Sequence, residues 1–298
     1  MKNNNKITES SNIISKDIDT KSISDIISIF NDEDLKIIES IKKSSTDIEQ
    51  IIKYVVNSLQ NDGRLFYVGA GTSGRLGIMD AAECRPTFGV DKNIVQGIIA
   101  GGDIAAFESV EGAEDKIDKV LEIINDKMIG PYDVVIGISC SGTARFVLEF
   151  LKESKSKGSI TSLITFNDID EIKYIDKILR INVGSEIITG STRMKSGTAT
   201  KMVLNMISSI SMIKLNKTYG NHMVDLKIMN EKLLNRAINI ISSLTGLDID
   251  NSKKLLLKSD KSIKNAIIIH KLKLNFEESE KLLKKYNGSL RDALNEEK

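Results

Sequence analysis

The spacing of apolar positions changes at about residue 60. Ile48, Ile51, Ile52, Val55, Val56 and Leu59 recur at i, i+3, i+4, i+7, i+8 and i+11, one face of an amphipathic helix. Asn61-Asp62-Gly63 stops that helix with residues that favour turn conformations. Short apolar runs then alternate with helical stretches. The runs 65–68, 95–100, 134–138, 162–166 and 178–183 predict strands, and helices are predicted near 74–82, 117–125 and 145–155. Such alternation predicts an α/β fold, a parallel sheet layered between helices, with ligands bound at the carboxyl ends of the strands.

After the last run comes a polar loop, 184–196, and then a long apolar helix near 198–215. From Asn230 the pattern is helical only, broken at Leu247-Asp248 and at Gly288, and 250–294 reads as a small three-helix module. The expected organisation is an N-terminal helical segment 1–60, a sheet domain 61–229 and a C-terminal helical module 230–298.

Composition narrows the chemistry. A chain of 298 residues with 41% apolar and 28% charged positions has the make-up of a soluble globular protein. A net charge of +1 gives no electrostatic case for nucleic acid or an anionic membrane. No apolar run approaches the roughly 18 residues of a membrane span. The opening MKNNNKITESS lacks the apolar core of a signal peptide, so a cytoplasmic location is expected. Cys84 and Cys140 form no C-x-x-C and read as small packing residues rather than nucleophiles. Two histidines are too few for a His-based metal cluster, so no metal is expected. Chemistry falls to carboxylates and hydroxyls.

Three loops carry the candidate site. The first, in "VGAGTSGRLG", has Gly69, Gly71 and Gly74 at G-x-G-x-x-G spacing, which suits a dinucleotide turn or any turn that cradles an anion. A dinucleotide fold also wants an acidic residue about 20 residues further on. The nearest one following the second strand is Asp103, 29 residues after Gly74. The loop instead offers Thr72 and Ser73, and hydroxyls recur in Ser139-Cys140-Ser141-Gly142-Thr143 and in Thr189-Gly190-Ser191-Thr192-Arg193. Hydroxyls, backbone N–H groups and a helix N-terminus together suit one phosphate and the hydroxyls of a sugar. The candidate substrate-binding residues are Gly71, Thr72, Ser73, Ser139, Cys140, Ser141, Gly142, Thr143, Ser191 and Thr192. Arg193 and Lys195 offer a contact to phosphate or to a partner chain.

This strand–loop pattern resembles the sugar isomerase (SIS) domain. Within it, "GAGTSGRLGIMDAAEC", "EGAED" and "GSTRMKSGTATKMVLNM", with "ITESSN" and "YGNHMVD", resemble the N-acetylmuramic acid 6-phosphate etherases over nearly the whole chain. The resemblance implies a SIS domain with N-terminal helices and a helical tail, a phosphosugar substrate, no cofactor, and homodimers. It implies cleavage of the lactyl ether of N-acetylmuramic acid 6-phosphate during peptidoglycan recycling. Two departures stand out. The second loop reads Ser141-Gly142-Thr143-Ala144-Arg145 where the family commonly has S-G-R-T-P, and Arg85 stands where proline is usual.

An alkyl ether is a poor leaving group. In the open-chain sugar the hydrogen on C2 is acidified by the C1 aldehyde, so a base removes it while an acid protonates the C3 ether oxygen. That elimination needs two carboxyls of different proton affinity and no metal. The resemblance maps the family's catalytic glutamates onto Glu83 and Glu114, with Glu108, Glu111 and Asp115 as rivals in the second segment. Glu83 follows the apolar stretch 76–82, just before Pro86 is expected to break the chain. Burial there would raise its pKa and suit it to the acid's role.

Two alternatives remain. An aldose–ketose isomerase of the same domain type also moves the C2 proton but needs no acid at C3. A non-enzymatic sugar-phosphate sensor would carry a DNA-binding module or regulate a kinase. Residues 1–60 hold eight Lys, no Arg and ten acidic residues, a poor match for DNA phosphates.

Overall fold

The computed structural model describes residues 6–296. Residues 1–5, at the start of the predicted 1–60 segment and of the opening read for a signal peptide, and residues 297–298 of the predicted tail lie outside the described residues. Helices α1 (Ile23–Lys43) and α2 (Ser45–Gln60) precede β1 (Leu65–Gly69), α3 (Gly71–Phe88), β2 (Val95–Ile99) and α4 (Val120–Asp126). Then come β3 (Val134–Ile138), α5 (Arg145–Ser156), β4 (Ile160–Thr165), β5 (Lys177–Arg180) and α6 (Lys195–Lys214). The chain divides into two compact units, Met1–Ala81 with Asn93–Ser208 and Ala82–Lys92 with Ser209–Lys298, two of the three divisions falling inside α3 and α6.

In the first unit the five predicted strands form one parallel sheet in the order β2-β1-β3-β4-β5. Every residue of β1 and β3 is buried, which is why both read as unbroken apolar runs rather than as alternation. Phe66, Val68 and Val135 pack with Phe146, Val147, Phe150 and Leu151 of α5 and Val120 and Ile124 of α4. The opposite face lies against α2 and α3. A Cβ at Gly77 would sit 2.8 Å from the Tyr67 Cβ, and one at Gly97 2.5 Å from the Ile78 Cα, so α3 approaches the sheet to a distance that only glycine permits.

Buried polar groups tie the helices to this layer. Asp80 on α3 accepts hydrogen bonds from Asn205 (2.8 Å) and Ser208 (3.2 Å) of α6, and burial pushes its carboxyl above the usual range. Glu33 on α1 and Lys195 at the start of α6, each about 1% exposed, form an ion pair at 2.6 Å. Asn12 donates to the same carboxylate at 2.9 Å, and Lys36 also pairs with it. Burial alone would raise the Glu33 pKa, but the hydrogen bonds from Lys195, Lys36 and Asn12 outweigh it and bring it to about 2.

The second unit is helical: α7 (Glu231–Thr245), α8 (Ile249–Lys258), α9 (Ile263–Leu272), α10 (Phe276–Lys285) and α11 (Leu290–Asn295). Each begins at a polar cap, Asn230, Asp248, Ser262, Asn275 or Ser289, whose side chain accepts the N–H three residues on, satisfying a donor the helix cannot. Ala237, Ile241, Leu256, Ala266, Ile267 and Ala293 form its fully buried centre.

Two expectations are corrected. The stretch 250–294 holds four helices, not three, because α8 and α9 are separated at Asp260 and Lys261, which adopt φ of 48° and 60° with neither Gly nor Pro to signal the turn. Helix α3 also runs through Pro86 to Phe88 instead of breaking there. In the last turn a missing N–H costs one hydrogen bond, too little to end a helix already anchored upstream.

Candidate functional site

The strand order makes a crevice before any side chain is considered. After β1 the chain leaves for β2 on one side, and after β3 it leaves for β4 on the other. The loops at the carboxyl ends of these two neighbouring strands therefore diverge, the arrangement that opens a binding crevice in parallel sheets. A cavity of about 460 Å³ lies there, within the first unit. Its wall takes in Gly71, Thr72 and Ser73 at the start of α3, and Ser139, Cys140, Ser141 and Ala144 on the way into α5. Thr192 from the third loop and Glu111 and Glu114 from the loop after β2 are the other predicted residues on it.

Each loop has a local cause. Gly71 has φ +52°, the left-handed conformation that lets α3 begin two residues after β1 ends. A Cβ at Gly69 would meet the Gly74 N at 2.5 Å, so the turn is too tight for any other residue. In the second loop the Ser139 Oγ accepts the Ala144 N–H at 3.2 Å. The hydroxyls of Ser141 and Thr143 meet at 2.9 Å, and the Lys6 Nζ donates to Thr143 at 2.9 Å. The third loop is closed by Glu186, which accepts from the N–H groups of Lys195 (2.9 Å) and Ser196 (3.0 Å) and from the Ser196 hydroxyl (2.6 Å). Its carboxylate at the N-terminus of α6 complements the helix dipole.

Cys140 lies between the loops, with its Sγ 3.7 Å from the Ser73 Oγ. Burial pushes its thiol above the usual range, which keeps it protonated and unreactive. Arg75 lines the cavity and donates to the backbone oxygens of Ala106 (3.2 Å) and Glu108 (2.7 Å). It thus pins α3 to the segment that leads to Glu111 and Glu114.

Several predicted residues stand elsewhere. Gly142, Thr143 and Ser191 do not line the cavity, and neither do Glu108 and Asp115. Glu83 does not line it either, and it is exposed on α3. Cys84 and Phe88, one turn apart, form the buried side of that stretch; Glu83 lies one helical step of about 100° from Cys84 and so misses burial. Lys195 is committed to Glu33 rather than to a phosphate. Among the described residues no group of three or more His, Cys, Asp and Glu could hold a metal ion, and no helix is long and apolar enough to cross a membrane.

The structure adds Thr8, Glu9 and Arg75 to the cavity wall, with Asn167 behind it. Asn167 donates to the Cys140 oxygen (2.8 Å) and to the Thr8 Oγ1 (3.0 Å). No spacing rule connects residues 8, 75 and 167; the first two fall within the family-like segments "ITESSN" and "GAGTSGRLGIMDAAEC", which gave them no role.

Known proteins bear on this geometry. The family model of the glucokinase regulatory protein N-terminal SIS domain matches residues 47–155, and that of the C-terminal lid domain of glucokinase regulatory protein matches residues 220–271. A phosphoheptose isomerase from Francisella tularensis aligns with a TM-score of 0.47 at 17% identity, over 64% of this chain and 98% of that one. The N-acetylmuramic acid 6-phosphate etherase of Clostridium beijerinckii is 43% identical over 295 residues, 98% of this chain and 96% of its own length. That of Mycoplasma mycoides subsp. mycoides is also 43% identical, over 300 residues and 99% of each chain. Identity at this level, sustained from end to end of both chains, shows that this chain belongs to the N-acetylmuramic acid 6-phosphate etherase family of enzymes.

Proposed function

We propose that this chain converts N-acetylmuramic acid 6-phosphate and water to N-acetylglucosamine 6-phosphate and D-lactate. The observation that carries the reading is the cavity at the ends of β1 and β3, where two hydroxyl-bearing loops share a wall with the Glu111 and Glu114 carboxylates. Hydroxyls and helix N-termini suit the phosphate, and a carboxylate supplies the base that elimination requires.

Glu114 takes the proton from C2, the C2–H electrons form the double bond to C3, and the C3–O bond breaks. On the family-based assignment Glu83, which in a single chain is exposed and outside this cavity, gives its proton to the departing lactyl oxygen. Water then adds its oxygen to C3, losing a proton to Glu83 while Glu114 returns one to C2, so both groups end as they began. Family membership supports the two roles. The protein works as a homodimer in the cytoplasm and serves peptidoglycan recycling. Ile104 and Phe107, 57% and 89% exposed beside the loop that carries Glu114, supply apolar surface for the second copy.

The test is release of D-lactate from N-acetylmuramic acid 6-phosphate by purified protein. Release at a rate dependent on Glu114 supports the reading; ketose formation from an aldose phosphate with no lactate would replace it with the isomerase.

A further inference from the structure

Glu9 lies on the cavity wall with no hydrogen-bond or ion-pair partner among the described residues. Its neighbours are firmly held. Thr8 is 1% exposed; its N–H donates to the Asn167 Oδ1 at 3.3 Å, and its oxygen accepts the Gly190 N–H at 3.1 Å. Asn167 in turn holds the Cys140 oxygen. Residue 8 is therefore fastened to both the second and the third loop, and the tight turn Ile7–Glu9 sets the next side chain at the cavity. Gly190 lies against that carboxylate, since a Cβ there would meet the Glu9 Oε2 at 3.1 Å.

A carboxylate is an acceptor without donors. It repels phosphate, which the hydroxyl loops suit, and it complements a hydroxyl or an amide N–H. We propose that Glu9 is a specificity-determining residue of this site, accepting a hydrogen bond from a hydroxyl or amide N–H of the bound sugar and so favouring sugar phosphates over simple anions. The claim rests on the phosphosugar reading of the cavity, but binding tests it without turnover.

Affinities for N-acetylglucosamine 6-phosphate, glucose 6-phosphate and inorganic phosphate are measured by calorimetry for the wild type, Glu9→Gln and Glu9→Ala. Loss of a charged hydrogen bond predicts an affinity for N-acetylglucosamine 6-phosphate about tenfold weaker in Glu9→Ala, with an intermediate loss in Glu9→Gln and no loss for inorganic phosphate. Glucose 6-phosphate weakening in parallel identifies a hydroxyl donor; its affinity holding steady identifies the amide. Unchanged binding of N-acetylglucosamine 6-phosphate overturns the proposal. So does an equal loss for inorganic phosphate, which marks a damaged wall. Because Glu9 is exposed, an unchanged urea midpoint accompanies the expected result. Wild-type protein that binds the sugar phosphate yet releases no lactate would defeat the etherase reading and leave the role of Glu9 to the binding data.

Discussion

Thr8 and Asn167 hold each other by two hydrogen bonds across 159 residues of sequence, the Thr8 N–H to the Asn167 Oδ1 and the Asn167 Nδ2 to the Thr8 Oγ1. Both are buried, so each bond is made where water cannot replace it. Asn167→Ala strands the Thr8 N–H and removes a donor from the Cys140 oxygen. The expected cost is about 1–3 kcal/mol of stability, read from urea unfolding, together with a raised KM because residues 8 and 9 lose their anchor.

The buried Glu33–Lys195 pair makes stability depend on acid. The folded pKa of Glu33, about 2, lies below its usual 4.5, so the unfolded chain binds the proton first as pH falls. The stabilisation is complete above about pH 4.5 and disappears as pH falls toward 2. Unfolding free energy measured across that window should decline less steeply in Glu33→Gln than in the wild type. Lys195→Met should cost about 3–5 kcal/mol at neutral pH, because it leaves a buried carboxylate short of its main partner.

Gly69 marks the tightest point of the first loop. An alanine Cβ there would lie 2.5 Å from the Gly74 N and 2.8 Å from the Ser73 carbonyl carbon, backbone atoms that cannot move without shifting α3. Gly69→Ala should destabilise the fold by about 1–3 kcal/mol and weaken phosphosugar binding, measured by thermal melting and calorimetry.

The two proposed catalytic carboxyls are separable in heavy water. Glu114→Gln should slow both exchange of the C2 hydrogen and lactate release by about 10²–10⁴-fold, the usual contribution of a positioned base. Glu83→Gln should stop release yet still exchange that hydrogen, since exchange needs only the base. Glu111→Gln should retain both; if it alone abolishes exchange, Glu111 is the base.

Arg75 acts through the backbone it grips. Lysine has no planar fork with which to reach both the Ala106 and Glu108 oxygens, so Arg75→Lys should release the segment leading to Glu114. The expected kinetic signature is a kcat about tenfold lower with KM within twofold, since a misplaced base slows the chemical step more than it weakens binding.

The strands and the hydroxyl-bearing loops of the cavity wall were legible in the sequence because each depends on neighbours, whereas the strand order that makes those loops diverge was not. An apolar run announces a buried strand, and glycine with serine or threonine announces a tight anion-binding turn. Thr8, Glu9, Arg75 and Asn167 were not legible, since their meeting is decided by packing across the sheet. Glu83 is exposed rather than buried for a narrower reason. Its apolar neighbours suggested burial, but one position along a helix turns a side chain by about 100°, and Cys84 takes the inward place. The tail's fourth helix was hidden because Asp260 and Lys261 turn the chain without the residues that usually mark a turn.

The pairing of Glu33 with Lys195 also has a consequence in time. Synthesis delivers the acidic partner 162 residues before the basic one, so α1 leaves the ribosome with a side chain destined for the interior and its main counter-charge not yet made. Until then Glu33 must stay hydrated, and α1 cannot settle into its final seat. A nascent chain arrested before residue 195 should therefore leave α1 open to proteases, and one arrested well beyond α6 should protect it. Long-range closure of this kind makes completion of the first unit a late event in translation.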